Sequence, residues 1–282
     1  MNILESNVKG LEWGSHAIKV EYEYKPAIRN FFATKSGEIL IKKLEQNRGK
    51  YNSLINDILM FKDNISQIPF NQTDDYNPFW NQGWFPSFDA IALYGLLAVY
   101  KPARFIEIGS GNSTKFARRS IKDNNLHTQI ISIDPDPRAE IDAICDNVIR
   151  SKIENLDYNE ILTYVKPGDI LFIDNSHRSF QGSDVTVCFT EIIPSLPSGV
   201  IYGIHDIFIP FDYPQPFENY FYNEQYLLQC YLLGGAANDE IILPLGYISR
   251  LKELALPFHN IVDTILLDNV QREGSAFWMK KG

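Results

Sequence analysis

Arg104-Phe105-Ile106-Glu107-Ile108-Gly109-Ser110-Gly111-Asn112-Ser113-Thr114 runs a short apolar segment into a turn of small residues, and a helical pattern follows over about 113–123. A near-continuous apolar run of this length, bounded by glycines, reads as a strand buried on both faces. The glycines let the main chain approach a ligand with no Cβ in the way. The helix that begins just beyond them offers unpaired N–H donors to a carboxylate or phosphate.

The same texture continues outward. Runs over 129–133, 148–149, 170–173 and 200–204 read as strands, with helical patterns over 113–123, 157–165 and 183–193 between them. Strand–helix alternation of this kind predicts a parallel sheet covered on both faces, the doubly wound, Rossmann-like α/β class. Late strands are expected over 240–243 and 275–279, and an aromatic helix over 217–233. Upstream, apolar residues at three- and four-residue steps over 36–61 predict an amphipathic helix, broken at Gly49. Ser87 is placed to cap a helix that ends before Pro102, and weak alternation over 18–24 reads as a short strand. The chain therefore divides into a mainly helical N-terminal extension or lid, 1–85, and an α/β domain, 86–282.

Composition narrows the class of partner. The 26 Lys+Arg stand against 35 Asp+Glu, a formal charge of −9, which counts against nucleic acid as a partner because phosphate-backbone binding leaves a basic footprint. Hydrophobic residues at 45% and charged residues at 22% describe a folded chain. The most apolar stretch, 90–100, is far shorter than the ~18–20 residues that cross a bilayer, so no membrane partner is expected. Three scattered cysteines, Cys145, Cys188 and Cys230, with no CxxC, indicate neither a disulfide framework nor a zinc knuckle. No secretory leader is read at 1–5. The expected setting is reducing and cytoplasmic, with oligomeric state open.

Glycine loops serve several ligands, and three details separate them. A dinucleotide fingerprint asks for a third glycine where this chain has Thr114. A P-loop asks for Gly-Lys-Ser/Thr, which is absent. Glu107 would repel a pyrophosphate but suits a ligand carrying an ammonium and a sulfonium. The second strand ends in Asp134, 23 residues after Gly111, where a carboxylate can accept both hydroxyls of an unphosphorylated ribose. An adenosine with a free ribose and an amino-acid tail is S-adenosylmethionine, and the residues expected to hold it are Glu107, Gly109, Ser110, Gly111, Asn112, Ser113, Thr114, Asp134 and Asp174. A nicotinamide-dinucleotide oxidoreductase and a non-catalytic cofactor-binding or scaffold protein are the competing readings. Arg138 is expected to pair with Asp134 or Asp136, and Glu154 is a weak candidate for the adenine.

Three segments carry a family resemblance. Glu-Ile-Gly-Ser-Gly-Asn-Ser-Thr (107–114), Ser-Ile-Asp-Pro-Asp-Pro-Arg (132–138) and Gly-Asp-Ile-Leu-Phe-Ile-Asp-Asn-Ser-His (168–177) resemble class I S-adenosylmethionine-dependent methyltransferases, in particular the subgroup filed as methyltransferase family 24. The approach segment 84–89, His205-Asp206-Ile207-Phe208-Ile209-Pro210-Phe211-Asp212-Tyr213-Pro214 and 222–226 extend the likeness over about residues 80–280. The resemblance implies a seven-stranded sheet whose last strand is antiparallel.

Asp174 closes the strand over 170–173, His177 follows on its loop, and His205 and Asp206 close the strand over 200–204. Ligands of open parallel sheets bind at the carboxyl ends of the strands, so all four should ring one crevice. Transfer of a sulfonium methyl to a hydroxyl needs the acceptor positioned and its proton removed. His205 is the preferred base, His177 the second, with Asp174 or Asp206 orienting an imidazole. The catalytic set is thus His205, His177 and Asp206. A divalent metal on Asp174, His177, His205 and Asp206 is not favoured, since two histidines suit magnesium poorly and a transition metal better. A strand-end histidine in ordinary packing, and Asp206 as a helix cap, are the bland alternatives. The expected acceptor is a small polar molecule, a sugar or another polyhydroxylated metabolite first, methylated on oxygen rather than nitrogen.

Overall fold

The computed structural model describes residues 22–137, 139–265 and 271–282. Its strands, β1 (Arg104–Ile108), β2 (Gln129–Ile133), β3 (Asn147–Ile149), β4 (Ile170–Ile173), β5 (Ile201–Ile204), β6 (Glu240–Pro244) and β7 (Phe277–Lys280), form one seven-stranded sheet in the order β3-β2-β1-β4-β5-β7-β6. β1 to β5 are parallel, and β7 runs antiparallel to both β5 and β6. The strands are apolar along nearly their whole length because both faces are covered; β4 and β5 are buried throughout.

The helices are α1 (Lys35–Gln46), α2 (Arg48–Leu59), α3 (Lys62–Ile65), α4 (Ser87–Tyr100), α5 (Asn112–Asp123), α6 (Tyr158–Tyr164), α7 (Asp184–Val187), α8 (Ile193–Ser195), α9 (Glu224–Leu233), α10 (Leu245–Ile248) and α11 (Lys252–Thr264). A π turn over Cys188–Ile192 joins α7 to α8. α4 is apolar all round and buried from Ser87 to Ala98, packed between the sheet domain and α2. One hydrophobic cluster runs from Leu40 to Met279 and takes in both the N-terminal helices and the sheet.

Three local expectations are corrected. The helix over 36–61 breaks at Asn47, whose Nδ2 donates to the Ile241 carbonyl, while Gly49 sits inside α2 at the modest cost a helical glycine carries. Ser87 does not cap α4; it is the first helical residue, and its hydroxyl donates to the Gln271 carbonyl at 2.6 Å. The helix over 217–233 is two pieces, a 3-10 turn Gln215–Tyr220 and α9, parted at Phe221 (φ 53°) so that Asn223 and Glu224 can donate their amides to the His177 carbonyl. α11 had no sequence counterpart; Pro257 within it disguises the pattern. The strand over 18–24 lies outside the described residues up to 21, and 22–24 are irregular.

Register places the site. Ile108 pairs with Ile133 and with Ile173, and Ile173 pairs with Ile204. The residues that follow each strand, Gly109, Asp134, Asp174 and His205, therefore form one row across the carboxyl ends of four neighbouring strands. Backbone bonds carry the ladder into that row, from Gly109 N to Ile133 O (3.0 Å), Asp174 N to Ile108 O (2.8 Å) and His205 N to Ile173 O (2.9 Å).

Candidate active site

A cavity of about 790 Å³ opens over that row, within the range of small-molecule sites. Gly109 (φ 81°) makes the turn out of β1, and a Cβ there would sit 1.8 Å from the Asp174 carbonyl oxygen, so only glycine lets the loop pass the end of β4. A Cβ on Gly111 would meet open space on the cavity side. Ser110, Asn112 and Ser113 line the same wall, at the N-terminus of α5. The Asn112 amide donates to Gln82 Oε1 at 3.0 Å, and that oxygen also accepts the Trp84 and Phe85 amides. Gln82, which the sequence did not single out, thus pins Gly83 to Pro86 as the outer wall over the glycine loop.

Glu107 and Thr114 do not line this cavity. Both are fully buried beneath the loop, where the Thr114 hydroxyl donates to Glu107 and accepts the Gly111 amide at 3.0 Å. Glu107 Oε1 has no partner, and burial pushes the carboxyl up to about 8 against the hydrogen bonds from Ser113 and Thr114. The side chain expected to meet an ammonium lies buried under the turn, bonded to Thr114.

Asp134 is where the sequence put it. Its Oδ2 accepts the Ser110 amide at 2.6 Å and its Oδ1 the Asp136 amide at 2.8 Å. Each oxygen keeps a lone pair, and the carboxylate lines the cavity. Pro135, Ala139, Ile153 and Glu154 lie beyond it on the same wall. The ion pair expected of Arg138 falls outside the described residues.

Asp174, His177, His205 and Asp206 all line the cavity, and two further acids complete them. His177 Nδ1 lies 2.9 Å from Glu224 Oε2, and its Nε2 lies 3.3 Å from Asp174 Oδ1 and 3.5 Å from Asp206 Oδ2. His205 Nδ1 lies 3.2 Å from Asp174 Oδ1, and its Nε2 lies 3.3 Å from Asp89 Oδ2. Asp89, from α4, also accepts the Ser275 and Ala276 amides and so ties the approach to β7 into the array. Glu224 was missed because its position reads as an ordinary acid in a helix's first turn; only the break at Phe221 turns it onto His177. Asn223 accepts the Ser179 amide at 2.7 Å and clamps the loop after His177. His177 (φ 61°) and Asp206 (φ 53°) both hold left-handed backbone, the kind of strain that collects at working sites.

This geometry changes the histidines' expected role. Both nitrogens of each ring face carboxylates, a setting that favours the doubly protonated ring. Burial pushes the rings down, but the carboxylates outweigh it: His177 rises to about 10 and His205 well above the usual imidazole range. Burial likewise works to raise Asp174, yet the His205 charge and the hydrogen bonds from both rings hold it well below the usual carboxylate range. Glu224 is raised by burial, with His177 opposing. Asp174 and Asp206, at 29% and 17% side-chain exposure, are the carboxyl groups of this array that reach the open cavity. Ligand atoms of Asp174, His177 and His205 also lie within 4.8 Å of one another, a set that would suit a transition metal better than magnesium once the rings lost a proton.

Residues 106–207, from β1 to just past β5, match the family model described as a methyltransferase domain. That stretch is a methyltransferase domain. No curated protein matches the chain in sequence. Among solved structures, the chain is similar to the S-adenosylhomocysteine-bound methyltransferase PaMTH1 of Podospora anserina, at 14% identity and TM-score 0.40, over 80% of this chain and 88% of that one. It is also similar to an O-methyltransferase from Bacillus cereus in complex with S-adenosylhomocysteine, at 12% identity and TM-score 0.38, over 80% and 89%. A third is the plantazolicin methyltransferase BamL, at 14% identity and TM-score 0.37, over 89% and 92%. The dinucleotide oxidoreductase reading falls with the family match. The methyltransferase domain fits its cofactor: the fixed Asp134 carboxylate keeps acceptors for a ribose, and the glycine loop leaves main chain bare toward the cavity. Among the described residues no helix is long and apolar enough to cross a membrane.

Proposed function

We propose that the chain methylates an oxygen of a small, polar, hydroxyl-bearing acceptor held in this cavity. The observation that carries the reading is the row Gly109–Asp134–Asp174–His205 along one cavity, with cofactor-holding groups at one end and ionised carboxylates at the other. The bound cofactor supplies an electrophilic methyl on a sulfonium. The bare main chain at 109–111 and the N-terminus of α5 receive its carboxylate, and Asp134 accepts from its ribose hydroxyls. Gln82 and the wall at 83–86 keep water off the reacting end, and residues before 86 serve as its lid.

Asp206 and Asp174 accept the hydrogen bond of the acceptor hydroxyl and aim its lone pair at the methyl. As the C–O bond forms, the hydroxyl becomes far more acidic, so a carboxylate suffices to take the proton. The two histidine rings hold those carboxylates in place, while Glu224 and Asp89 keep the rings turned. Histidine thus acts here by holding the base. The three cysteines, all free thiols, suit a reducing compartment.

Calorimetry with S-adenosylhomocysteine tests the first half: parent protein binds, Asp134→Asn binds at least about tenfold more weakly, and no heat at submillimolar ligand sinks the reading. Asp206→Asn tests the second: cofactor affinity holds while turnover falls. Unchanged turnover would remove Asp206 as proton acceptor.

A further inference from the structure

A second cavity, of about 1320 Å³, adjoins the first. Pro214, Phe217, Tyr220 and Tyr222 line both, so the partition is one layer of rings. Phe217 lies 5.6 Å from Tyr222 and Tyr220 lies 5.4 Å from it, and Tyr222 packs 4.6 Å from the His177 imidazole. A group in the second cavity is therefore one aromatic ring away from the ionised array. The far wall is built by residues 22–28, ahead of the sheet domain.

The lining is unusual for an exposed surface. Tyr22, Tyr24, Phe180, Tyr220, Phe221 and Tyr226 each stand about two-fifths to two-thirds exposed and face this one cavity. Exposed apolar groups scattered singly need no account, but this many gathered around one concavity mark a ligand surface.

Its chemistry selects the ligand. Ile28 is the only branched aliphatic side chain among the described lining residues, so a lipid tail would find little to pack on. Arg178 stands in the wall 4.9 Å over the Tyr222 ring, and Asp212 already accepts from the Tyr226 hydroxyl and the Arg29 and Tyr213 amides. What remains is a set of tyrosine faces rimmed by the Gln215 and Asn219 amides and the Glu218 carboxylate. Flat aromatic faces take the C–H face of a pyranose, and amides and carboxylates take its hydroxyls.

We propose that this tyrosine-lined cavity is a second acceptor subsite that holds a glycosyl ring, so that the acceptor is an extended glycoside whose reacting hydroxyl reaches past Tyr222 to Asp174 and Asp206. The inference rests on the methyltransferase reading of the first cavity and adds the substrate class.

The test is saturation-transfer NMR on the full chain loaded with S-adenosylhomocysteine, using the p-nitrophenyl glycosides of glucose, galactose, mannose, rhamnose and xylose, with p-nitrophenol as control. At least one glycoside should show transfer to its ring protons. Tyr24→Ala combined with Phe180→Ala, both surface-exposed, should weaken that binding roughly tenfold while S-adenosylhomocysteine affinity stays unchanged; Glu218→Ala should weaken it independently. Cofactor binding without transfer to any glycoside overturns the subsite. So does equal binding of p-nitrophenol, or an affinity indifferent to all three substitutions. Loss of S-adenosylhomocysteine binding by the parent protein would instead sink the reading beneath it.

Discussion

Glu107→Gln separates the two roles that the acid before the glycine loop could play. The Glu107 carboxyl is sealed under the turn, bonded to Thr114, with one oxygen unpartnered. Burial raises it from 4.5 to about 8. Below 4.5 folded and unfolded chains both hold the proton, and above about 8 both have lost it. Between those limits the folded state keeps a proton that the unfolded state has released, so stability falls as pH rises, by about 1.4 kcal/mol per pH unit. From pH 5 to pH 9 that loss reaches about 4 kcal/mol, a large part of the stability of an ordinary domain. Glutamine keeps the shape and an acceptor for Thr114 but has no proton to lose. Other titrating groups contribute equally to both proteins and cancel in the difference. Urea unfolding followed by tryptophan fluorescence at pH 5 and pH 9 should show the variant gaining on the parent by several kcal/mol as pH rises. A gap between the two proteins that is the same at both pH values would refute a neutral Glu107. A gap of the opposite sign would mean that the carboxylate is ionised and paired, as the sequence alone suggested.

Three further outcomes follow from the same geometry. Gly109→Ala forces a Cβ against the Asp174 carbonyl at a positive φ; it should cost at least about 2 kcal/mol in urea unfolding and abolish S-adenosylhomocysteine binding, and a stable variant that binds would show the loop to be looser than described. His177, raised to about 10, should not titrate between pH 6 and 8 by NMR, and its stabilisation is present below about 6.5 and lost as pH rises through about 10. In Glu224→Gln its titration should fall by more than about one pH unit, and an unmoved titration would assign its charge to Asp174 and Asp206 alone. Dialysis against EDTA should leave methyl transfer unchanged, because the carboxylates occupy the ring nitrogens with hydrogen bonds, and a loss restored by added zinc or manganese would instead make Asp174, His177 and His205 metal ligands.

The sheet was legible because its strands are apolar on both faces and its ligand-bearing turns sit at fixed offsets from them. Gly109, Asp134, Asp174 and His205 each directly follow an apolar run, and parallel register does the rest. Three things were not legible. The direction of Glu107 depends on strand pleat and on Thr114, two effects that motif spacing does not encode. Glu224 enters the site from α9, 47 residues from its histidine, and only tertiary packing brings it there. The break at Asn47 is set by a bond to β6, which no local propensity reports.

The carboxylates packed around the histidines bear on which group serves as the base. Histidine at a strand end beside a carboxylate is the usual picture of a base with its orienting acid, and one acid per ring leaves one nitrogen free. Here Asp174 accepts from both rings, Glu224 takes the far nitrogen of His177, and Asp89 takes the far nitrogen of His205. The second acid on each ring converts a base into a fixed cation. It also leaves Asp174 and Asp206 lining the cavity, where a hydroxyl acceptor can pass its proton late, with the C–O bond largely formed. An acceptor that had to be deprotonated before transfer would need a stronger base than Asp174 or Asp206. The array therefore ties the charge of two buried rings to the order of bond making and proton loss.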